Sequence, residues 1–357
     1  MCKMVKYLLT IIVPIYKIEE LFLRRCIESL INQSENGYKI ILVDDGSPDN
    51  CGIICDEYAQ KTSIITVIHQ KNQGVSIARN NGIKQTETKW LTFVDADDWV
   101  ESDYISTLYK ILGNEELNVD VVMYNYVREF KGSSVRESFS AQSGMIENTD
   151  LEVCRRSTFY KLIQNGKLNP YSVIALWNKA YKTNFLRDND IWFIPEAKKG
   201  QDRLFNADVL NLTNHIYYIN SMIYHYRCWE NSRTNKFDLN IPQLTSIELE
   251  TLEGIMRKHK LQDKVDKYLK CRICTRLYTC MRLYFFHDKN RLPYREKINQ
   301  VRSLIKKNPY KDALMMVDMN LLTIQERIFV WSLKANFYSL CYFLVRIKSA
   351  ELRKKIN

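Results

Sequence analysis

An α/β fold, a parallel sheet with helices on both faces followed by a mostly helical C-terminal region, is predicted by three observations. Five short apolar runs punctuate the first 125 residues. The segments between them space apolar residues near 3.6, as in Leu23, Ile27, Leu30 and Ile31. Beyond about Thr245 the pattern turns long, basic and helical. Strand–helix–strand repetition with apolar runs buried on both faces points to parallel strands joined by crossover helices.

The runs are "LLTIIVPI" (8–15), "YKIILV" (38–43), "IITVIH" (64–69), "KWLTFV" (89–94) and "VDVVMY" (119–124). The first follows lysines, as a targeting segment would, in "MCKMVKYLLTIIVPIYK". It has no small-residue cleavage site, and Pro14 and Tyr16 lead into globular sequence, so it is expected to be the first strand. Residues 126–150 are polar and Ser-rich and predict a loop or irregular hairpin. From 150 to 230, helical segments precede a pair of strands, "HIYYIN" (215–220) and "MIYHYR" (222–227). The C-terminal helices are expected to break near Pro293 and Pro309. These patterns divide the chain into a domain over 1–232, itself divided near 125, and a basic helical region over 245–357. No run of eighteen apolar residues occurs, so no membrane-spanning helix is expected.

The 357 residues are 46% hydrophobic and 26% charged, an ordinary globular balance. The net charge of +11 is uneven. Residues 251–357 hold 24 Lys and Arg against 9 Asp and Glu, a balance of +15; the first 250 hold 28 against 32, a balance of −4. The C-terminal part is therefore expected to face something anionic. The ten cysteines offer one C-x-x-C, Cys271 and Cys274, inside a helical pattern. Reduced cysteines packed as small hydrophobes are the simpler reading.

Ligands of open α/β sheets gather beyond the carboxyl ends of the strands, and three polar clusters fall there: "VPIYK", "VDDGSPDN" and "VDADD". The last ends an apolar strand in Asp95, Asp97 and Asp98. Asp95 and Asp97, two apart, can turn toward one side of an extended exit. There they would repel each other unless a cation came between ligand and protein. Carboxylate oxygens suit Mg²⁺ or Mn²⁺, which keep positions for water and phosphate. The aspartates could instead cap the following helix, a role that Asp98 fits. Capping needs only one carboxylate, so Asp97 is the metal candidate.

In "ILVDDGSPDN" Gly46 permits a tight turn, and Asp44 and Asp45 would face the same cleft. They could accept hydrogen bonds from a ring N–H and ribose hydroxyls, or form a simple Asp/Gly/Ser turn. No G-x-G-x-x-G follows the first strand, and no G-x-x-x-x-G-K-[ST] occurs anywhere. A Rossmann dehydrogenase and a P-loop NTPase thereby lose their main support.

"IIVPIYK", "IILVDDGSPDN", "NQGVSIARNNGI" and "WLTFVDADDWV", in this order and spacing, resemble the family 2 glycosyltransferases of the GT-A fold. The likeness is close over residues 8–125 and weaker to about 232. It implies a nucleotide-binding half over 1–125 and an acceptor half over 126–232. It further implies that Pro14, Ile15 and Tyr16 border the base and that Asp45, with Asp44 beside it, binds the base. Asp95 would lie near the ribose and Asp97 on the metal-diphosphate. Gly74 and Arg79 fall where the family shapes the nucleotide pocket, although Arg79 would equally serve a structural ion pair.

Members of the family carry a downstream Glu-Asp pair whose aspartate is the base. Here "KKGQDRLFNADVL" has Gln201 in place of the glutamate and keeps Asp202, which could otherwise be only an N-terminal helix residue. The absent glutamate bears on acceptor contacts more than on catalysis. "LWNKAYK" resembles the segment entering the acceptor half, and its Trp177 could stack on a sugar or pack in the core. In "IYHYRCWENSRTN", His225 is a candidate additional metal ligand and Arg227 a candidate clamp for the departing diphosphate. On a strand those two share one face, and Tyr224 and Tyr226 the other.

The implied reaction is inverting transfer from a nucleotide-diphosphate sugar to a saccharide or lipid-linked saccharide in surface polysaccharide synthesis. A hexosyl- or N-acetylhexosaminyl-transferase using Mn²⁺ or Mg²⁺, in the cytoplasm, would fit. The tail "QERIFVWSLKANFYSLCYFLVRIKSAELRKKIN" would either lie in the interface at the inner face of the cell membrane or pack as a solvated bundle. Two other classes compete. A sugar nucleotidyltransferase needs a Gly-rich, Arg/Lys-containing loop after the first strand, and "VPIYKIEELF" has none. A non-catalytic nucleic-acid-binding protein would use the basic tail. No nucleic-acid motif is present, however, and the acidic turns repel phosphate without metal, so nucleic acid is not an expected partner.

Overall fold

Each of the five apolar runs becomes a strand. In the computed structural model, which describes residues 7–136, 142–161, 163–164, 167–168, 173–228 and 237–356, the chain opens with β1 (Leu9–Ile15), α1 (Glu20–Ile31), β2 (Tyr38–Asp44), α2 (Cys51–Lys61), β3 (Ile65–His69), α3 (Val75–Gln85) and β4 (Trp90–Phe93). β1 runs parallel to β2 and β4, and β2 parallel to β3. Alternate residues of β1 enter different cores. Ile11, Val13 and Ile15 share one with Leu23, Cys26, Ile27 and Leu30 of α1. Ile12 joins Ala78 and Ile83 of α3 in the other. Helices therefore cover both faces, as period-2 alternation on a doubly buried strand requires. A Cβ at Gly82 would overlap Ile12 Cγ2, so the glycine is what lets α3 rest on β1.

The sheet is not parallel throughout, as the sequence had suggested. After β5 (Trp99–Val100), α4 (Tyr104–Leu112), β6 (Val121–Phe130), β7 (Ser133–Arg136), β8 (Gly144–Ile146), α5 (Asn148–Phe159) and the small hairpin β9 (Ile163–Gln164) and β10 (Lys167–Leu168), the chain returns as β11 (Lys179–Lys182). β11 inserts between β4 and β6, antiparallel to both. α6 (Thr183–Asp188) and α7 (Gln201–Leu212) then lead to β12 (Ile216–Arg227), parallel to β6 and antiparallel to β5. The sheet order is β3-β2-β1-β4-β11-β6-β12-β5, with β7 beside β6 and β8 beside β12. β12 is one strand and not the expected pair. The interruption in the pattern marks register shifts between Ile219 and Met222 and between Met222 and Tyr224.

By contacts the chain divides into Met1–Arg155 with Asn169–Cys228, and Arg156–Leu168 with Trp229–Asn357. The second unit is helical: α8 (Ile241–Lys258), α9 (Gln262–Cys280) running into a π turn at Met281–Phe285, α10 (Tyr294–Ile305), α11 (Tyr310–Met316), α12 (Ile324–Lys334) and α13 (Tyr338–Ile356). Pro293 and Pro309 each stand immediately before a helix, where a missing N–H costs nothing. Buried Glu248 is held by Arg272 and Arg276. A capping box of Thr323 and Glu326 starts α12. The nine described cysteines are free, and all but Cys228 are buried. No described helix is long and apolar enough to cross a membrane.

Candidate active site

The three polar clusters meet at the carboxyl edge of β1, β2 and β4. Asp45 N–H donates to the carbonyl of Ile15 at 2.9 Å, tying the first cluster to the second. Tyr16, next along, is half-buried, with Lys17 Nζ 5.4 Å from its ring centroid. Gly46 turns the chain at φ +64°, where a Cβ would lie 2.8 Å from Asn72 N. Asp45 is buried, and its carboxylate is committed. Oδ1 accepts from Gln70 Nε2 at 2.7 Å and Gln73 N at 2.8 Å, and Oδ2 from Gly74 N at 2.8 Å. Asp44 accepts from Ser47 N at 3.0 Å and meets His69 Nδ1 at 3.2 Å. Hydrogen bonds to Asp56 and Asp44 raise the His69 pKa above its ordinary value.

Both oxygens of Asp45 thus fasten the 70–74 loop, and Asp45 shapes the entry to α3. Gly74 caps α3 at φ 92°, and no heavy atom lies within 4 Å of the position its Cβ would take.

The other half of the cluster is acidic. Arg79 of α3 is buried and bridges two aspartates: Nη1 donates to Asp202 Oδ1 at 2.8 Å and Nη2 to Asp95 Oδ1 at 3.2 Å. Its guanidinium lies 5.3 Å from the ring centroid of Phe193. Arg227, at the end of β12, donates to Asp97 Oδ2 at 2.7 Å and to the Asp97 carbonyl at 3.1 Å, and lies 3.8 Å from the Phe22 ring centroid. Asp98 does not cap a helix, because α4 begins only after Asp103. It is buried, accepting from Tyr224 Oη at 2.6 Å and from Arg227 N at 2.8 Å. Tyr224 also takes the Asp95 N–H at 3.2 Å.

Two guanidinium groups, a tyrosine and a backbone amide therefore hold the aspartates in place, but they do not neutralise them. Burial pushes Asp98 well above the carboxylate range, with the charges of Asp95 and Asp97 adding to it. Burial also pushes Asp95 up to about 6; Arg79 opposes this, while Asp202 and Asp97 reinforce it. Asp202 stands in the first turn of α7, behind Gly200 at φ 76°, where a helix N-terminus favours negative charge. Asp95, Asp97 and Asp202 are 31, 33 and 33% exposed. Each gives one oxygen to an arginine and keeps a second that no described residue engages.

No group of three or more His, Cys, Asp or Glu poised around a metal occurs among the described residues. An all-protein cage is therefore not what these carboxylates build. Mg²⁺ or Mn²⁺ carried in on a diphosphate needs only one or two carboxylates, and the free oxygens of Asp95 and Asp97 fit that chemistry.

Two sequence-based candidates leave the site. His225 has Nδ1 2.7 Å from Glu129 and Nε2 2.9 Å from Glu101, and its ring stacks on Trp99 at 5.1 Å. Both of its nitrogens are thus engaged by carboxylates. Trp177 is only 7% exposed. It stacks with Tyr224 at 4.7 Å and Tyr226 at 5.1 Å and meets the edge of Tyr126. It packs in the core and does not face a sugar. Trp177→Ala should cost roughly 3–5 kcal/mol in denaturant unfolding. A changed acceptor KM with unaltered unfolding would contradict this placement.

The sequence also left supports unnoticed. Asn80 exchanges hydrogen bonds with the Phe193 backbone at 2.8 and 2.9 Å, fixing the ring beside Arg79. Buried Lys179 donates to Ala175 O at 2.5 Å and Asn178 Oδ1 at 2.9 Å, and burial pushes its amine down to about 7. Of the segment after Arg227, residues 229–236 lie outside the described residues.

A sheet of this order, with acidic turns at its carboxyl edge and a helical continuation, agrees with the GT-A fold that the sequence led us to expect. The glycosyl transferase family 2 model matches residues 10–199, just over half of the chain, and the chain belongs to that family. It is 33% identical over 228 residues to glycosyltransferase GlyA of Streptococcus pneumoniae, a match covering 61% of this chain but only 30% of GlyA. It is 28% identical over 275 residues to the putative glycosyltransferase EpsH of Bacillus subtilis, covering 76% of each. The crystal structure of S. aureus TarS 1–349 in complex with UDP-GlcNAc superposes with a TM-score of 0.63 at 18% identity, over 98% of this chain and 90% of that one. At that identity the likeness speaks for the fold.

Proposed function

We propose that this glycosyltransferase is an inverting enzyme. It would move a hexosyl or N-acetylhexosaminyl group from a nucleotide-diphosphate sugar to a saccharide or lipid-linked saccharide of a surface polysaccharide, on the cytoplasmic side. The observation that carries the reading is the convergence of Asp95, Asp97 and Asp202, each anchored by one oxygen and offering the other. The TarS structure with UDP-GlcNAc supports a nucleotide-sugar donor on this fold, and family membership supports the acceptor class.

In this reading Asp97, with Asp95 beside it, would hold Mg²⁺ or Mn²⁺ on the diphosphate, and the cation supplies Lewis-acid neutralisation of the leaving group. The buried Arg79 keeps Asp95 and Asp202 at a set separation, so the donor side and the acceptor side share one rigid strut. Arg227 would exchange part of its contact with Asp97 for the departing diphosphate. The free oxygen of Asp202 would take the proton of the acceptor hydroxyl as the hydroxyl oxygen bonds to the anomeric carbon from the face opposite the diphosphate, and the bond from that carbon to the diphosphate oxygen breaks. The Asp45-fastened loop would set the wall against the base.

A thermal-shift screen of nucleoside diphosphates and nucleotide-sugars, with Mn²⁺, with Mg²⁺ and with EDTA, tests this. Ligand at about a hundred times Kd stabilises by about 2.7 kcal/mol, a rise of roughly 5–10 °C. One nucleotide should give that rise with metal and lose it in EDTA. No shift with any nucleotide in folded protein would sink the donor reading.

A further inference from the structure

The helical unit carries a second constellation, far in chemistry from the carboxylates. Tyr294 and Arg302 of α10, Trp331 of α12, and Phe337 and Tyr338 at the α12–α13 corner line a cleft of about 630 Å³. The rings of Trp331 and Phe337 meet at 5.5 Å, and those of Tyr294 and Tyr342 at 5.8 Å. Tyr294 Oη lies 3.2 Å from Ser339 Oγ, so the aromatic surface continues from α10 onto α13. Three of these rings are open to solvent: Trp331 is 53% exposed, Phe337 55% and Tyr294 46%, while Tyr338 is buried beneath them. Basic groups accompany them. The Arg302 guanidinium lies 5.1 Å from the Tyr338 centroid, and Lys334 is exposed one turn from Trp331.

Contiguous exposed rings of this kind are unfavourable in water and mark a contact surface. Charge decides the occupant. Residues 251–357 carry +15. A second copy docking through the same face would bring like charge against like charge, whereas an anionic lipid surface is complementary. Trp and Tyr settle among headgroups, and Arg and Lys reach the phosphates while their stems lie along apolar surface. We propose that this face docks on an anionic lipid surface, with the Trp331 and Phe337 rings in the interface and Arg302 and Lys334 against the headgroup phosphates. The contact is interfacial, because no described helix can span a bilayer. It goes beyond the transferase reading and does not depend on it.

The test is flotation of the full chain with phosphatidylcholine vesicles, with and without phosphatidylglycerol. The protein should float only with the phosphatidylglycerol vesicles and be released by added salt. Trp331→Ser with Phe337→Ser should lower the partition about tenfold or more. Arg302→Glu with Lys334→Glu should do the same without removing an aromatic ring. Leu21→Ser with Ile53→Ser, which removes exposed apolar residues from the other unit, should leave it unchanged. Binding indifferent to phosphatidylglycerol, or equal binding by wild type and both face variants, overturns the proposal. So does a sedimentation dimer that these face substitutions abolish, since the occupant would then be a second copy.

Discussion

Asp97→Ala should abolish transfer, lowering kcat/KM by roughly three orders of magnitude, and should erase the metal-dependent thermal shift with nucleotide. The size of the effect follows from what Asp97 does in the fold. Its Oδ2 is the anchor for Arg227, and its other oxygen is open. Removing the carboxylate therefore removes a cation ligand and also takes one carboxylate contact from the Arg227 guanidinium. That guanidinium would face the diphosphate directly. A residual, metal-independent affinity for nucleoside diphosphate is thus expected in the variant, with no catalysis attached to it. Titration calorimetry of the nucleotide with and without Mn²⁺ separates the two components. Stability should barely move, because Asp97 is one-third exposed and the neighbouring Asp98 keeps its bonds to Tyr224 and Arg227 N. Metal-dependent affinity equal to wild type in Asp97→Ala would remove Asp97 from the site.

The sequence disclosed this much because the relevant signals are local. A strand buried on both faces reads as a continuous apolar run, and β1 to β4 were legible as such. Asp95 and Asp97 are two residues apart at a strand end, which sets their direction without further knowledge. What the sequence withheld depends on distant pairings. β11 is four residues long, too short for periodicity, and its antiparallel insertion could not be read. Asp97 meets Arg227 130 residues further along the chain, and Arg79 meets Asp202 123 residues further along. Alternation along β12 correctly put His225 and Arg227 on one face and Tyr224 and Tyr226 on the other. It could not say that Trp177 would cover the tyrosines or that Glu101 and Glu129 would take both nitrogens of His225. Asp45 shows the same limit: its turn was legible, but the loop that consumes its oxygens returns from 25 residues later.

Asp202→Asn should separate chemistry from binding, and Arg79 is the reason. The amide oxygen of asparagine can still accept from Arg79, so the strut to Asp95 survives and the metal-nucleotide shift should stay near that of wild type. The amide cannot take a proton, so turnover should fall by about 10²–10⁴-fold, the usual worth of a positioned base. Arg79→Met should behave differently. Asp95 and Asp202 would lose their shared cation in a buried setting, and both nucleotide binding and turnover should fall. The pair of variants thus distinguishes a base held by a strut from a carboxylate that only balances Arg79. If Asp202 merely neutralised the arginine, asparagine would weaken the strut, and nucleotide affinity and turnover would drop together. Turnover within a few-fold of wild type in Asp202→Asn, with binding intact, would move the base to another residue.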